Sequence, residues 1–226
     1  EVVQGPVLIG DIFSEMVGGN LVHTSTVMIR RELVERVGFY NSELRGIGED
    51  FDYHLRLCRL APVALIDIPS IQYPRGLTDH LGCERNKLHA AINYLRVIAP
   101  VLRDERGRLE LSDEEILGIL QEGCNWAGEM AINAGLRRAG RGFLRLSLTY
   151  DPWQARTRLV YLLAHLPRSA DALLRYGARW VKRVMLRDEE EDLAHLASEI
   201  LSREIPVRGI PEPGIGGEKD RRPSDD

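Results

Sequence analysis

The chain has 226 residues, of which 44% are hydrophobic, 28% charged and 6% aromatic, a profile that allows one large globular domain or one domain with an appendage. Thirty basic against thirty-four acidic side chains leave a formal net charge of −4, so no global positive field exists to hold nucleic acid. No apolar run approaches the ~18 residues needed to span a bilayer and the first residues lack the pattern of a signal peptide, so a cytoplasmic protein is expected.

In chain order, an apolar strand-like stretch comes almost at once, and Leu21 to Ile29, rich in β-branched residues after Gly18-Gly19-Asn20, predicts a strand leaving a turn. Arg30 to Val37 has Leu33, Val34 and Val37 at helical spacing, with Gly38 where a left-handed cap is wanted. Gly46-Ile47-Gly48-Glu49-Asp50 is an acidic loop, followed by a helix in which Phe51, Leu55 and Cys58 recur on one face. Val63 to Ile68 predicts a strand closed by Pro69, and Ile71 to Tyr73 another short extended piece.

From about His80 helical periods take over. Leu88, Ile92 and Leu95 share a face of a helix that Pro100 should close, and Ser112-Asp113-Glu114-Glu115 is a capping box opening the next. Gly135 and Gly140 punctuate the stretch beyond that helix, and Asp151-Pro152 reads as an N-cap and first-turn proline. Ala127 to Pro152, with Trp126 just ahead, has the look of a single loose tetratricopeptide-type helix pair; one such unit is too few for a binding solenoid and suits a helical cap on the catalytic domain. Ser169 to Arg187 predicts a basic amphipathic helix with Arg175, Arg179 and Lys182 on one stripe, which either packs on the bundle or lies on an anionic membrane. Asp188 to Glu204 predicts a further helix, and from Pro206 the composition is that of a disordered tail. Cys58, Cys83 and Cys124 lack metal-ligand or disulfide spacing and read as buried small hydrophobes.

The chemistry concentrates in Gly48-Glu49-Asp50. Two adjacent carboxylates on a Gly-flanked loop ahead of a helix can present a base; taken alone, the same residues are equally an N-cap at Asp50 and an Asp52–Arg56 pair at i, i+4. The ordered series Gly19-Asn20, His23-Thr24-Ser25, Arg30-Arg31-Glu32-Leu33, Val37-Gly38-Phe39-Tyr40, Gly48-Glu49-Asp50 with Arg56, then Pro69 and Tyr73-Pro74-Arg75 resembles the second half of a family 2 glycosyltransferase over residues 9 to 80. The resemblance implies an α/β chain: a partial GT-A domain over 1–82, then a mostly helical extension over 83–205 and the tail at 206–226. It implies an inverting transfer from a nucleotide-sugar donor to a glycan or lipid-linked acceptor, in polysaccharide or glycoconjugate assembly at or near the inner face of a membrane.

Asp50 is then the general base and Glu49 its neighbour on the loop. His23, Arg56 and Arg75 are candidate substrate contacts, and His80 falls where such enzymes place a late histidine near a divalent Mg²⁺ or Mn²⁺ ion. The first 40 residues hold no Asp-x-Asp, so the chain is expected to be the acceptor-side half, inactive by itself, with the nucleotide-binding half missing from its start. The run Asp188 to Asp192 does not replace that motif, being a solvated face. The alternative is a non-catalytic helical interaction module with a degenerate transferase remnant.

Overall fold

The computed structural model describes residues 7–44, 47–72 and 86–166, together with Leu193 and His195. Among them the chain is mostly helical, with seven α-helices and one two-stranded antiparallel sheet. In order these are β1 (Val7–Gly10), α1 (Phe13–Val17), α2 (Arg31–Val37), α3 (Glu49–Cys58), β2 (Val63–Ile66), α4 (Lys87–Asp104), α5 (Asp113–Asn133), α6 (Arg137–Tyr150) and α7 (Ala155–Leu163). Arg75, His80, Cys83, the basic helix expected from Ser169, the acidic helix after it and the tail from Pro206 lie outside the described residues.

The ribbon pairs Val7 with Ile66 and Leu8 with Leu65, and Gly10 with Val63. Both of its faces remain exposed, Ile9 to 74%, although near-continuous apolar strands are normally covered on both sides. The front core lies instead beneath the helices, where Phe13, Met16 and Val17 of α1 and Phe51, Leu55 and Cys58 of α3 join Leu95, Ile98 and Leu102 of α4 in one continuous cluster reaching Phe143 of α6. Four long-range hydrogen bonds fasten front to rear. Asn93 donates to the Ile47 carbonyl at 2.7 Å, Tyr94 to the Val17 carbonyl at 3.0 Å and Arg108 to the Arg59 carbonyl at 3.0 Å, while Ser14 Oγ accepts the Glu110 amide at 2.8 Å.

The strand expected over Leu21 to Ile29 does not form. That segment is irregular around a short 3₁₀ turn, Thr24–Thr26, because its polar side chains satisfy the backbone in place of a sheet ladder: His23 Nδ1 accepts the Ser25 amide, and Thr26 Oγ1 donates to the His23 carbonyl at 2.8 Å. Of its apolar members Val22 packs against the core, but Leu21, Val27 and Met28 are exposed, Met28 to 97%. β2 is shorter than expected, ending at Ile66 where the Ile68 amide turns back to the Ile66 carbonyl.

Pro100 does not end its helix either; α4 runs four residues past it. An internal proline removes a backbone bond at about 3 kcal/mol, but the turn beyond it carries the fully buried Leu102 and the core-packed Val101, whose burial offsets that loss at about 1.5–3 kcal/mol per large side chain. Asp151 and Pro152 form a turn, not a helix start. Asp151 accepts the Trp153 amide at 2.9 Å, and α7 begins only after Gln154, whose side-chain amide is drawn onto the Ser147 and Asp151 carbonyls.

The helical hairpin of α5 and α6 is the tightest contact. Ser112 and Glu115 cap α5 reciprocally. At its other end Gly135, at φ +87°, lets the Gly135 amide reach Ile132 and the Leu136 amide reach Ala131, the Schellman closure that turns the chain back. Gly140 does not break the chain but sits inside α6 as a contact point: a Cβ there would meet Ile132 Cδ1 at 2.6 Å and the Gly128 carbonyl at 3.0 Å. At Gly128 a Cβ would fall 2.7 Å from Leu144 Cγ and 3.0 Å from its amide nitrogen.

Gly128→Ala would gain about 1 kcal/mol from helix propensity in an open helix. Here it is expected to lower the unfolding free energy by about 1–3 kcal/mol through overpacking. Urea denaturation measures the sign, and a stabilised variant would contradict so close an approach of the two helices. The exposed ribbon yields a second expectation: the chain self-associates through it. Replacing the cross-strand pair Leu8 and Leu65 by lysine should shift the sedimentation profile toward the monomer, and an unchanged profile would place the association elsewhere.

Candidate functional site around Asp50

The acidic loop is built by a glycine and clamped from α4. Gly48 is the N-cap of α3 in the left-handed region, at φ +94°, and a Cβ on it would stand 3.3 Å from Asn93 Cβ. A side chain is thus disfavoured at Gly48 both by backbone and by space. The buried Asn93 amide, itself accepting from Arg96, holds the preceding carbonyl of Ile47. Asp50 is therefore the second residue of α3 and not its N-cap; no side chain caps this helix.

With the cap role removed, the Asp50 carboxylate is free to face across to the segment at 20–24. Oδ2 accepts from Thr24 Oγ1 at 3.1 Å and from Asn20 Nδ2 at 3.5 Å, and Oδ1 accepts the Phe51 amide at 2.8 Å. An ionised carboxylate offers about four lone-pair positions, so acceptor capacity remains. Asp50 lines a cavity of about 400 Å³ whose other walls are the Gly18-Gly19-Asn20 turn and the faces of α4 and α5 bearing Tyr94, Glu122 and Trp126. Tyr94 is braced by its bond to Val17, its ring 5.6 Å from that of Phe51 and 6.3 Å from that of Trp126. Burial and the Glu122 charge push the Tyr94 hydroxyl well above its usual range, keeping it neutral.

The remaining candidates fall elsewhere. Glu49 is half-buried, away from the cavity lining, with Oε2 buried and lacking a hydrogen-bond partner within the protein. Arg56 pairs with Asp52 at 2.8 Å, donates to the Val37 and Phe39 carbonyls at 2.8 and 3.0 Å, and lies over the Tyr53 ring; its guanidinium fastens α3 to the end of α2 and not to the cavity. His23, expected in a strand, is an exposed cap of the 3₁₀ turn. Among the described residues no three His, Cys, Asp or Glu side chains are grouped to hold a metal ion, so the divalent ion implied by the resemblance has no donor set there and no step is routed through it. No helix of the described residues is long and apolar enough to cross a membrane.

Sequence reasoning misses two groups. Trp126 opens the helix pair read as a cap, and Glu122 lies just ahead of it; their spacing of four, which puts both on one face of α5, is the available signal. His54, one turn after Asp50, is 1% exposed, and neither ring nitrogen has a hydrogen-bond partner within the protein. Burial lowers its pKa below 6.5, against an opposing pull from the Asp50 charge. The buried thiols of Cys58 and Cys124 are pushed up to about 11 and about 12, which leaves neither a nucleophile at neutral pH.

The His54 shift fixes a pH dependence. The unfolded chain takes up the imidazole proton near pH 6.5 and the folded chain only at lower pH, so between those values the unfolded state binds more protons and stability rises with pH. Resistance to thermal unfolding is expected to weaken as pH falls below about 6.5. His54→Leu should flatten that limb, and an equal slope in the variant would assign the loss to other groups.

Comparison with protein-family models, with curated proteins and with solved structures returned no match, so the reading of this site stands on its residues and their geometry.

Proposed function

We propose that the chain is the acceptor-side part of an inverting glycosyltransferase of GT-A organisation, with Asp50 as its general base. The observation that carries the reading is the placement of Asp50: a carboxylate with one oxygen held by the Phe51 amide and the other directed toward Thr24 and Asn20, on the wall of a cavity large enough for a sugar. In the reaction the acceptor hydroxyl oxygen attacks the anomeric carbon of the donor as the bond from that carbon to the nucleoside diphosphate breaks. The hydroxyl proton passes to the free lone pair of Asp50, and the diphosphate leaves from the opposite face, which gives inversion. A carboxylate on the acceptor side is what this chemistry needs, and a fixed hydroxyl close to it supplies much of the rest through positioning.

Glu49 is the second carboxylate of the motif. It lies outside the cavity lining, one residue from the base, which supports Asp50 and not Glu49 as the group that takes the proton. The helical region, through Asn93 and Gly48, holds the loop in register with the cavity. This distinguishes the proposal from a non-catalytic interaction module, in which the carboxylate would serve no chemistry.

The test is made in the polypeptide that joins this chain to an upstream Asp-x-Asp segment. Asp50→Asn should slow transfer from a nucleotide sugar about 10²-fold or more while leaving the fold intact, with Glu49→Gln costing less. Transfer at the parent rate by Asp50→Asn would remove the base assignment and leave the interaction module.

A further inference from the structure

The cavity wall opposite Asp50 belongs to the helical region, and its chemistry is specific. Trp126 is 37% exposed and contributes the indole to that wall, while the Phe51 side chain is buried and Tyr94 has its hydroxyl committed to the Val17 carbonyl. The most exposed aromatic ring of the cavity is thus backed by the half-buried Tyr94 and the buried Phe51, which fix its surroundings. Glu122 stands one helical turn before Trp126 on α5 and lines the same cavity, close enough to Tyr94 for its charge to act on the phenol. Between the two, Gly123 brings α5 onto α4: a Cβ there would lie 2.8 Å from Leu95 Cδ2 and 3.1 Å from the Tyr94 ring. The indole is thus carried by a helix whose backbone lies close against the Leu95 and Tyr94 side chains, where an added methyl group would force them to shift.

We infer that Trp126 and Glu122 form the binding subsite for a neutral pyranose ring of the acceptor, so that the helical region and not the acidic loop decides which sugar is accepted. The inference rests on the reading of Asp50 as the base, and adds the residues that hold the ring in front of it. The face of a pyranose is a row of weakly polarised C–H bonds, which the negative face of an indole attracts, while its edge carries hydroxyl groups that need acceptors. Trp126 supplies the first and Glu122, with Asp50, the second. The Gly18-Gly19 turn leaves that wall without side chains, giving a flat ring room to enter. A cation is the competing occupant, since two carboxylates and aromatic rings also suit an alkylammonium group. A cation site of that kind surrounds its guest with ring faces, whereas here the two rings left at least partly open, Trp126 and the half-buried Tyr94, both stand on the α4–α5 wall, the Gly18-Gly19-Asn20 turn offers none, and the acids stand ready for hydroxyl edges.

The three tryptophans of the chain make this directly readable. The full chain is prepared with ¹⁵N-labelled indoles, Trp126 is assigned by the loss of its signal in Trp126→Phe, and methyl β-glucoside, methyl β-galactoside and choline are titrated separately. The expected result is a saturable shift of the Trp126 indole with at least one glycoside, none with choline, and the other two indoles unmoved. Glu122→Gln, a change at an exposed position, should raise the midpoint about tenfold, as loss of a hydrogen bond to a charged acceptor implies. No shift of Trp126 with either glycoside, a shift with choline as large as with the sugars, or an unchanged midpoint in Glu122→Gln would overturn the inference. Because the indole reports occupancy without turnover, the two failures separate. Parent-rate transfer by Asp50→Asn with a sugar-responsive Trp126 removes the base alone, and loss of transfer with an unresponsive Trp126 removes the subsite alone.

Discussion

A single buried amide sets the geometry on which the rest depends. Asn93 of α4 holds the Ile47 carbonyl at 2.7 Å, and this bond fixes where the chain stops being loop and starts being α3. A buried carbonyl left without a partner costs about 1–3 kcal/mol, so the loop is strongly biased to stay under α4. The close approach in turn requires Gly48, because a side chain there would press on Asn93 and a left-handed φ would strain it. Asp50 then falls at the second position of the helix, where one carboxylate oxygen faces Asn20 and Thr24 and the other takes the Phe51 amide. One hydrogen bond from the rear of the chain thus decides what the front can present.

The local electrostatics around Asp50 are uneven. The carboxylate sits in the first turn of a helix, a position where backbone amides favour negative charge. Beneath it His54 is buried and held neutral by desolvation, so no fixed positive charge competes for the carboxylate from that side. Arg56, further along α3, is held at the end of α2 by Asp52 and two carbonyls. The same two bonds explain why α2, none of whose residues is buried, keeps its place beside α3.

Much of the helical structure was legible because its signals are local. The capping box at Ser112, the Gly135 turn and the Asp52–Arg56 pair each involve residues within about one turn, and each formed as its spacing implies. The features that could not be read are those that a distant element decides. Leu21 to Ile29 has the composition of a strand, yet Asp50, 26 residues after Thr24, offers a better partner than any neighbouring strand. Pro100 looks like a terminus until the burial of Leu102 is known, and Gly140 like a break until α5 is seen against it. At the site, the motif pointed to Asp50, but nothing local linked it to Trp126 or Glu122, which reach the cavity only because Gly123 lets α5 lie on α4.

The long-range bonds also bear on how the molecule comes together. The α5–α6 hairpin closes across three residues, whereas the bonds that place the acidic loop and the α1 turn span 46, 77 and 96 positions of sequence. Closing a longer loop costs more chain entropy, and contacts so separated form after local ones. The cavity is therefore expected to assemble late in folding, as the front segment docks on the helical hairpin. The same order in reverse makes it the first part to open, so that the carboxylate can lose its setting while most of the helical core remains intact.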